Sequence, residues 1–218
     1  MTYRLVIGDK NTSSWSLRPW LALRQVAIPF EEIDIKLRQP DTKAQILRYS
    51  LAGKVPILLT DDGQAIWDSL AILEFLAEAH PQARLWPAAR QARAHARAVA
   101  AEMHSGFAAL REHCPMDLLA RAPMATLPDA VDAEVRRILA LWRDCRRRFG
   151  ASGPLLFGAF TAADAMYGPV ASRFRTYLPD LAAYGDDGTA QAYVEALFAL
   201  PPMTDWEAGA RRQRRGSA

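Results

Sequence analysis

The spacing of apolar and polar positions changes once along the chain, near residue 80. Before that point, short β-type runs alternate with helical patterns. Tyr3 to Ile7 reads as a strand. Leu17, Trp20, Leu21 and Arg24 recur at helical spacing up to Val26, where Ile28-Pro29 breaks the pattern. Pro19 lacks an N–H and fits the first turn of a helix, which places the helix start close to Ser16. Phe30 to Leu37 alternates apolar and charged residues, as a second strand would. Thr42 to Tyr49 suits a short helix capped by Asp41 or Thr42. Val55 to Leu59 is rich in strand formers, and Asp61-Asp62-Gly63 turns it into Ala65-Ile66-Trp67. Ser69 to Ala79 is an apolar-faced helix. The order β-α-β-α-β-β-α gives one compact α/β layer.

After His80-Pro81 the strand signals stop. Pro81 and Pro87 bracket a linker. Ala88 to His113 reads as one long helix, and Asp129 to Phe149 as a second with an apolar face. Thr161-Ala162-Ala163-Asp164 opens a third. Gln191 to Leu200 is a fourth, stopped by Pro201-Pro202. The expected organisation is an α/β domain over 1–80, an all-helical domain over 88–210, and a basic, frayed tail over 211–218.

Composition narrows the classes. Half of the 218 residues are apolar, enough for a buried core. No apolar run approaches ~18 residues, so no membrane span is expected. The start reads directly into a strand, without a basic-then-apolar signal segment. Cys114 and Cys145 lie far apart and form no CxxC, against a disulfide scaffold, a zinc site or a dithiol motif; a reducing cytoplasm is the compartment this fits. The net charge is +3, but the basic excess sits in Arg146-Arg147-Arg148 and in the arginines from Arg211 to Arg215. No aromatic-interleaved basic face accompanies them, so no nucleic-acid partner is expected.

Three short motifs carry chemistry. Asn11 to Trp20 is a hydroxyl-rich passage from strand to helix, and a helix N-terminus with free N–H groups suits an anion. Val55-Pro56 opens a strand with a residue that cannot donate to a ladder. Its peptide bond is either an ordinary trans strand start or a cis bond that exposes Val55's backbone to an outside peptide. Asp68 and Ser69 open the third helix; either suits an N-cap, and together they suit the ammonium and carboxylate of an α-amino acid.

In this order, a serine loop, Val-Pro and an acid-Ser pair resemble the glutathione transferase superfamily. Ser13-Ser14-Trp15-Ser16-Leu17-Arg18 is similar to the Ser-Ser-Cys-Ser-Trp-Arg signature of the zeta class, and Thr161 to Asp164 to the family's N-capping box. The resemblance implies an N-terminal thioredoxin-like domain, a C-terminal helical bundle and glutathione as co-substrate, with no metal. It implies a homodimer acting on a small electrophile. Ser13, with Ser14 close behind, would donate to the glutathione sulfur. Val55 would pair with the cysteinyl backbone beside Pro56, Asp68 and Ser69 would hold the γ-glutamyl end, and Lys54 and Gln39 the glycine end. Trp15, His104, Arg111 and Arg173 would line the second-substrate pocket, Arg173 resembling the zeta arginine for anionic substrates. Trp15 stands where zeta enzymes have cysteine. The alternatives are a zeta-like isomerase of a maleyl-type dicarboxylate and a non-catalytic glutathione-binding module.

Overall fold

The computed structural model describes residues 2–216. Four strands, β1 (Tyr3–Ile7), β2 (Phe30–Asp34), β3 (Ile57–Leu59) and β4 (Ala65–Ile66), form one mixed sheet in the order β2-β1-β3-β4. β1 runs parallel to β2, Tyr3 opposite Phe30, while β3 is antiparallel to both β1 and β4. The helix α1 (Ser14–Gln25) makes the crossover between β1 and β2, α2 (Thr42–Leu47) follows, and α3 (Ser69–Ala79) closes the unit.

The pleat of β1 explains how the sheet is covered. Tyr3, Leu5 and Ile7 point to the large core shared with α1 and α3. Val6 points the other way, into a small cluster with Ile35, Ile46, Ile57 and Leu59 under α2. Helix α1 then packs its other side on α7 (Ala162–Tyr177), which joins the sheet to the helical half. The large core therefore runs through both halves without interruption.

The helical half departs from the sequence pattern in two places. The segment expected as one helix to His113 is two, α4 (Arg90–Ser105) and α5 (Ala108–His113). Gly106 ends α4 in an extended conformation, where a Cβ would sit 2.8 Å from the Glu102 carbonyl, and Phe107 takes a φ of 56°. The free N–H groups of Ala109 and Leu110 donate to the Glu134 carboxylate of α6 (Asp129–Phe149), which caps the new start. Second, Pro201-Pro202 ends α8 (Thr189–Phe198) but also begins α9 (Pro201–Arg215), proline being suited to the first helical turn. The segment expected to fray is thus helical to Arg215; residues 217 and 218 lie outside the described residues. None of the described helices is long and apolar enough to cross a membrane.

Candidate active site

Helix α1 begins at Ser14, two residues before the expected start, and carries Pro19 inside it. The first-turn N–H groups need no partner within the helix, and Pro19 removes one donor beyond them. Ser13 is the N-cap residue, yet its side chain makes no capping bond. Its Oγ donates instead to Ser16 Oγ at 2.7 Å, and Ser16 Oγ also accepts from the Gly8 N–H at 3.0 Å. The Ser13 hydroxyl is thereby turned inward. Ser14 is also buried, but its hydroxyl makes no hydrogen bond among the described residues.

A cavity of about 460 Å³ opens beside this helix start. Trp15 forms one part of its lining; Lys54, Val55 and Pro56 another; Asp68 and Ser69 a third. His104 closes it from α4, with Ala52 and Trp67 at its edge. The starts of α1 and α3 and the loop before β3 in the α/β half thus meet α4 of the other half here. The Val55–Pro56 peptide is cis. Val55 precedes β3 and makes no backbone hydrogen bond to another described residue, so its N–H and C=O are open to a ligand.

Asp68 caps α3 by accepting the Leu70 N–H on Oδ1 at 2.8 Å. Its other oxygen lies 2.6 Å from His104 Nε2. Ser69 is 1% exposed and its hydroxyl has no partner among the described residues. A buried hydroxyl without a partner in a cavity wall is costly unless a ligand completes it.

A family model for the N-terminal domain of glutathione S-transferases matches residues 12–79, and one for the C-terminal domain matches residues 128–212, together more than half of the chain. The chain belongs to the glutathione S-transferase family. A probable maleylacetoacetate isomerase of Caenorhabditis elegans is 36% identical over 110 residues, which is 50% of this chain and 50% of that protein. The chain thus spans about half the length of that curated relative. Solved structures show the same fold. A glutathione transferase homologue from Burkholderia gl BGR1, with bound glutathione, has a TM-score of 0.71 at 23% identity, covering 97% of this chain and 99% of that one. An epsilon-class glutathione S-transferase from the housefly, Musca domestica, has a TM-score of 0.71 at 20% identity, covering 96% and 94%.

In this member of the family, not every sequence-derived residue reaches the cavity: Ser13, Ser14, Gln39, Arg111 and Arg173 are absent from its lining. Gln39 lines a separate cavity of about 330 Å³ with Thr12, Arg38 and the end of α9. Arg173 is 3% exposed and spends its Nε and Nη1 on the Cys114 and Pro169 carbonyls. His104 and Arg111 sit on two helices rather than one, yet the break at Gly106 still brings both to Trp15. The His104 ring is 5.4 Å from the indole, edge to face, and the Arg111 guanidinium 5.7 Å.

Arg18 is the residue that sequence reasoning passed over. It stands in the serine signature, but an arginine on an amphipathic helix gives no sign of burial. It is 0% exposed, with its guanidinium 4.1 Å from the Trp15 ring centroid. Trp67 was missed too; it is 55% exposed and sits at the cavity edge.

Proposed function

We propose that this protein is a glutathione transferase: it binds glutathione in the 460 Å³ cavity and activates its thiol for attack on the electrophilic carbon of a small molecule. The observation that carries this reading is the row of polar groups on one wall, namely the open Val55 backbone, the Asp68 carboxylate, which faces the cavity while capping α3 and meeting His104, and the unpartnered Ser69 hydroxyl. They match, in order, a cysteinyl backbone, an α-ammonium and an α-carboxylate. Lys54, exposed on the same lining, supplies a cation for the glycine carboxylate.

The sulfur then falls at the start of α1. A free thiol has a pKa near ~8.5, so an enzyme working at neutral pH must favour the thiolate. The helix N-terminus and one hydroxyl serve that end. Of the two serines beside the cavity we assign this role to Ser14, whose hydroxyl is uncommitted, whereas Ser13 must first leave Ser16. With the thiolate placed, attack on a bound electrophile forms the C–S bond; in a substitution the C–X bond breaks and its electron pair departs on X, and in an addition the π pair moves to the acceptor atom, which takes a proton from water.

The name of the nematode relative favours a second reading, glutathione-assisted isomerisation of a dicarboxylate. Retention on immobilised glutathione tests both readings, and failure to bind removes both. Product analysis separates them, since conjugation consumes glutathione and isomerisation does not. A cytoplasmic homodimer completes the proposal. Leu51 is 94% exposed and directly precedes Ala52 of the cavity lining, and so bare an apolar side chain suits contact with a second copy. Sedimentation of Leu51→Asp should show a lighter species than wild type.

A further inference from the structure

Arg18 has an unusual set of partners for a buried cation. Its Nη1 donates to the Ser14 carbonyl at 3.0 Å and its Nε to the Met166 carbonyl of α7 at 3.2 Å, while its Nη2 has no partner among the described residues. Arg173, also buried, is likewise held only by carbonyls. Arg111 makes only long contacts, 3.5 and 3.4 Å, to the Met103 and His104 carbonyls. None of the three forms an ion pair among the described residues, although many surface arginines of this chain do. Burial first, then the charges of Arg173 and Arg111, push the Arg18 guanidinium well below its ordinary range, with Asp68 opposing. Asp68 itself is paired with His104. Burial, then Arg111, brings Arg173 down to about 10. A concentration of positive charge without a carboxylate partner is unfavourable unless an anion joins it.

We propose that the cluster of Arg18, Arg111 and Arg173 is the counter-charge of the glutathione thiolate, with Arg18 as its principal member. The inference rests on the glutathione reading above. Arg18 is a positioning residue: it stacks on Trp15, which lines the cavity, and it holds the carbonyl of Ser14 at the start of α1. Ionisation breaks the S–H bond, leaves the electron pair on sulfur and sends the proton to water. The Coulomb scale is adequate. One charge about 8 Å away, at an effective dielectric constant of about 20, lowers a thiol pKa by about 1.5. The interior position matters, because a solvent-exposed arginine at the same distance would be screened.

The test follows the ultraviolet thiolate absorbance of bound glutathione against pH in wild type, Arg18→Gln, Arg18→Lys and Arg111→Gln. Arg18→Gln keeps an amide near both carbonyls and removes the charge. It should raise the bound thiol pKa by about one to two, a roughly 10- to 100-fold loss of thiolate at pH values below both pKa values. Its affinity for S-methylglutathione, which carries no ionisable thiol, should stay within about twofold of wild type. Arg18→Lys should recover most of the thiolate, and Arg111→Gln should lose a smaller part in the same direction. A folded Arg18→Gln with the wild-type thiol pKa overturns the inference. So does an unchanged thiol pKa joined to lost affinity for maleate, which would assign the cluster to a substrate carboxylate. If Arg18→Gln does not fold, Arg111→Gln decides, and a wild-type thiol pKa there has the same force. Wild-type protein that binds no glutathione strikes the parent reading instead, so the two failures are distinct.

Discussion

At the scale of single residues, what separates Ser13 from Ser14 is the use each makes of its hydroxyl. Ser13 is committed to Ser16, which also secures Gly8 at the end of β1. Ser14 is uncommitted. Ser14→Ala should therefore raise the bound thiol pKa and lower kcat by about 10- to 1000-fold, whereas Ser13→Ala should mainly loosen the loop, with a loss of stability of about 1 kcal/mol. Thiolate titration and denaturant midpoints of both variants check this; a larger thiol effect in Ser13→Ala would reverse the assignment. Asp164 makes a second case. Its Oδ2 accepts from the Thr161 N–H and hydroxyl, and its Oδ1 from the Leu156 N–H and Tyr193 hydroxyl. Asp164→Asn would face one pair of donors with an NH2 group and should cost about 2–4 kcal/mol, read from chemical denaturation. The Thr-x-x-Asp box was legible in the chain because capping is local. Which of two adjacent serines stays free was not, because that depends on Ser16 and Gly8 meeting in space.

At the scale of elements, legibility follows how local the deciding interaction is. β1, α3 and α6 fall at the expected residues, since each has a clean period and polar or Pro/Gly boundaries. The α4–α5 break was written in Gly106, but the cap that makes it tolerable comes from Glu134 on another helix. Helix α9 is not legible in the same way, because a Pro-Pro pair ends one helix and suits the first turn of the next equally well. One contact between elements bears on ligand binding. His104 on α4 reaches Asp68 at the start of α3, tying the helical half to the Asp68–Ser69 wall of the cavity. The pair is partly solvent-exposed, so its worth to stability is small, about 0–1 kcal/mol. Its effect on Asp68's orientation is direct. His104→Ala should change KM for glutathione several-fold while kcat at saturation and the unfolding midpoint stay near wild type. An equal fall in kcat, with KM unchanged, would instead put His104 in the chemical step.

At the scale of the whole molecule, α9 returns the end of the chain to its beginning. The Trp206 indole N–H donates to the Lys10 carbonyl at 2.7 Å, and the Lys10 N–H to Gln213 Oε1 at 2.8 Å. Lys10 Nζ lies 5.4 Å from the ring centroids of both Trp20 and Trp206, and it pairs with Glu32 on β2. Lys10 is only 7% exposed, so removing its paired carboxylate leaves a buried cation supported by the two indole faces and the charge of Asp34, without a hydrogen-bonded carboxylate. Glu32→Gln should accordingly destabilise the protein by about 2–4 kcal/mol at neutral pH. Burial works to raise the Glu32 pKa, but the hydrogen bonds from Lys10 and Trp20 and the charge of Lys10 outweigh it and hold the carboxyl below its ordinary value. A depressed folded-state pKa means that the unfolded chain binds the proton first as pH falls. The stabilisation is therefore fully present above the unfolded value, about 4.5, and is lost as pH falls through the lower folded value. Asp164 acts with the opposite sign, since burial raises it to about 6, so its contribution is lost as pH rises towards that value. A single wild-type profile mixes the two. The difference between wild type and Glu32→Gln cancels Asp164, which both share. That difference should hold constant from pH 7 down to about 4.5 and shrink below it. A gap that persists unchanged to pH 2 would mean that Glu32 holds Lys10 and α9 without its charge.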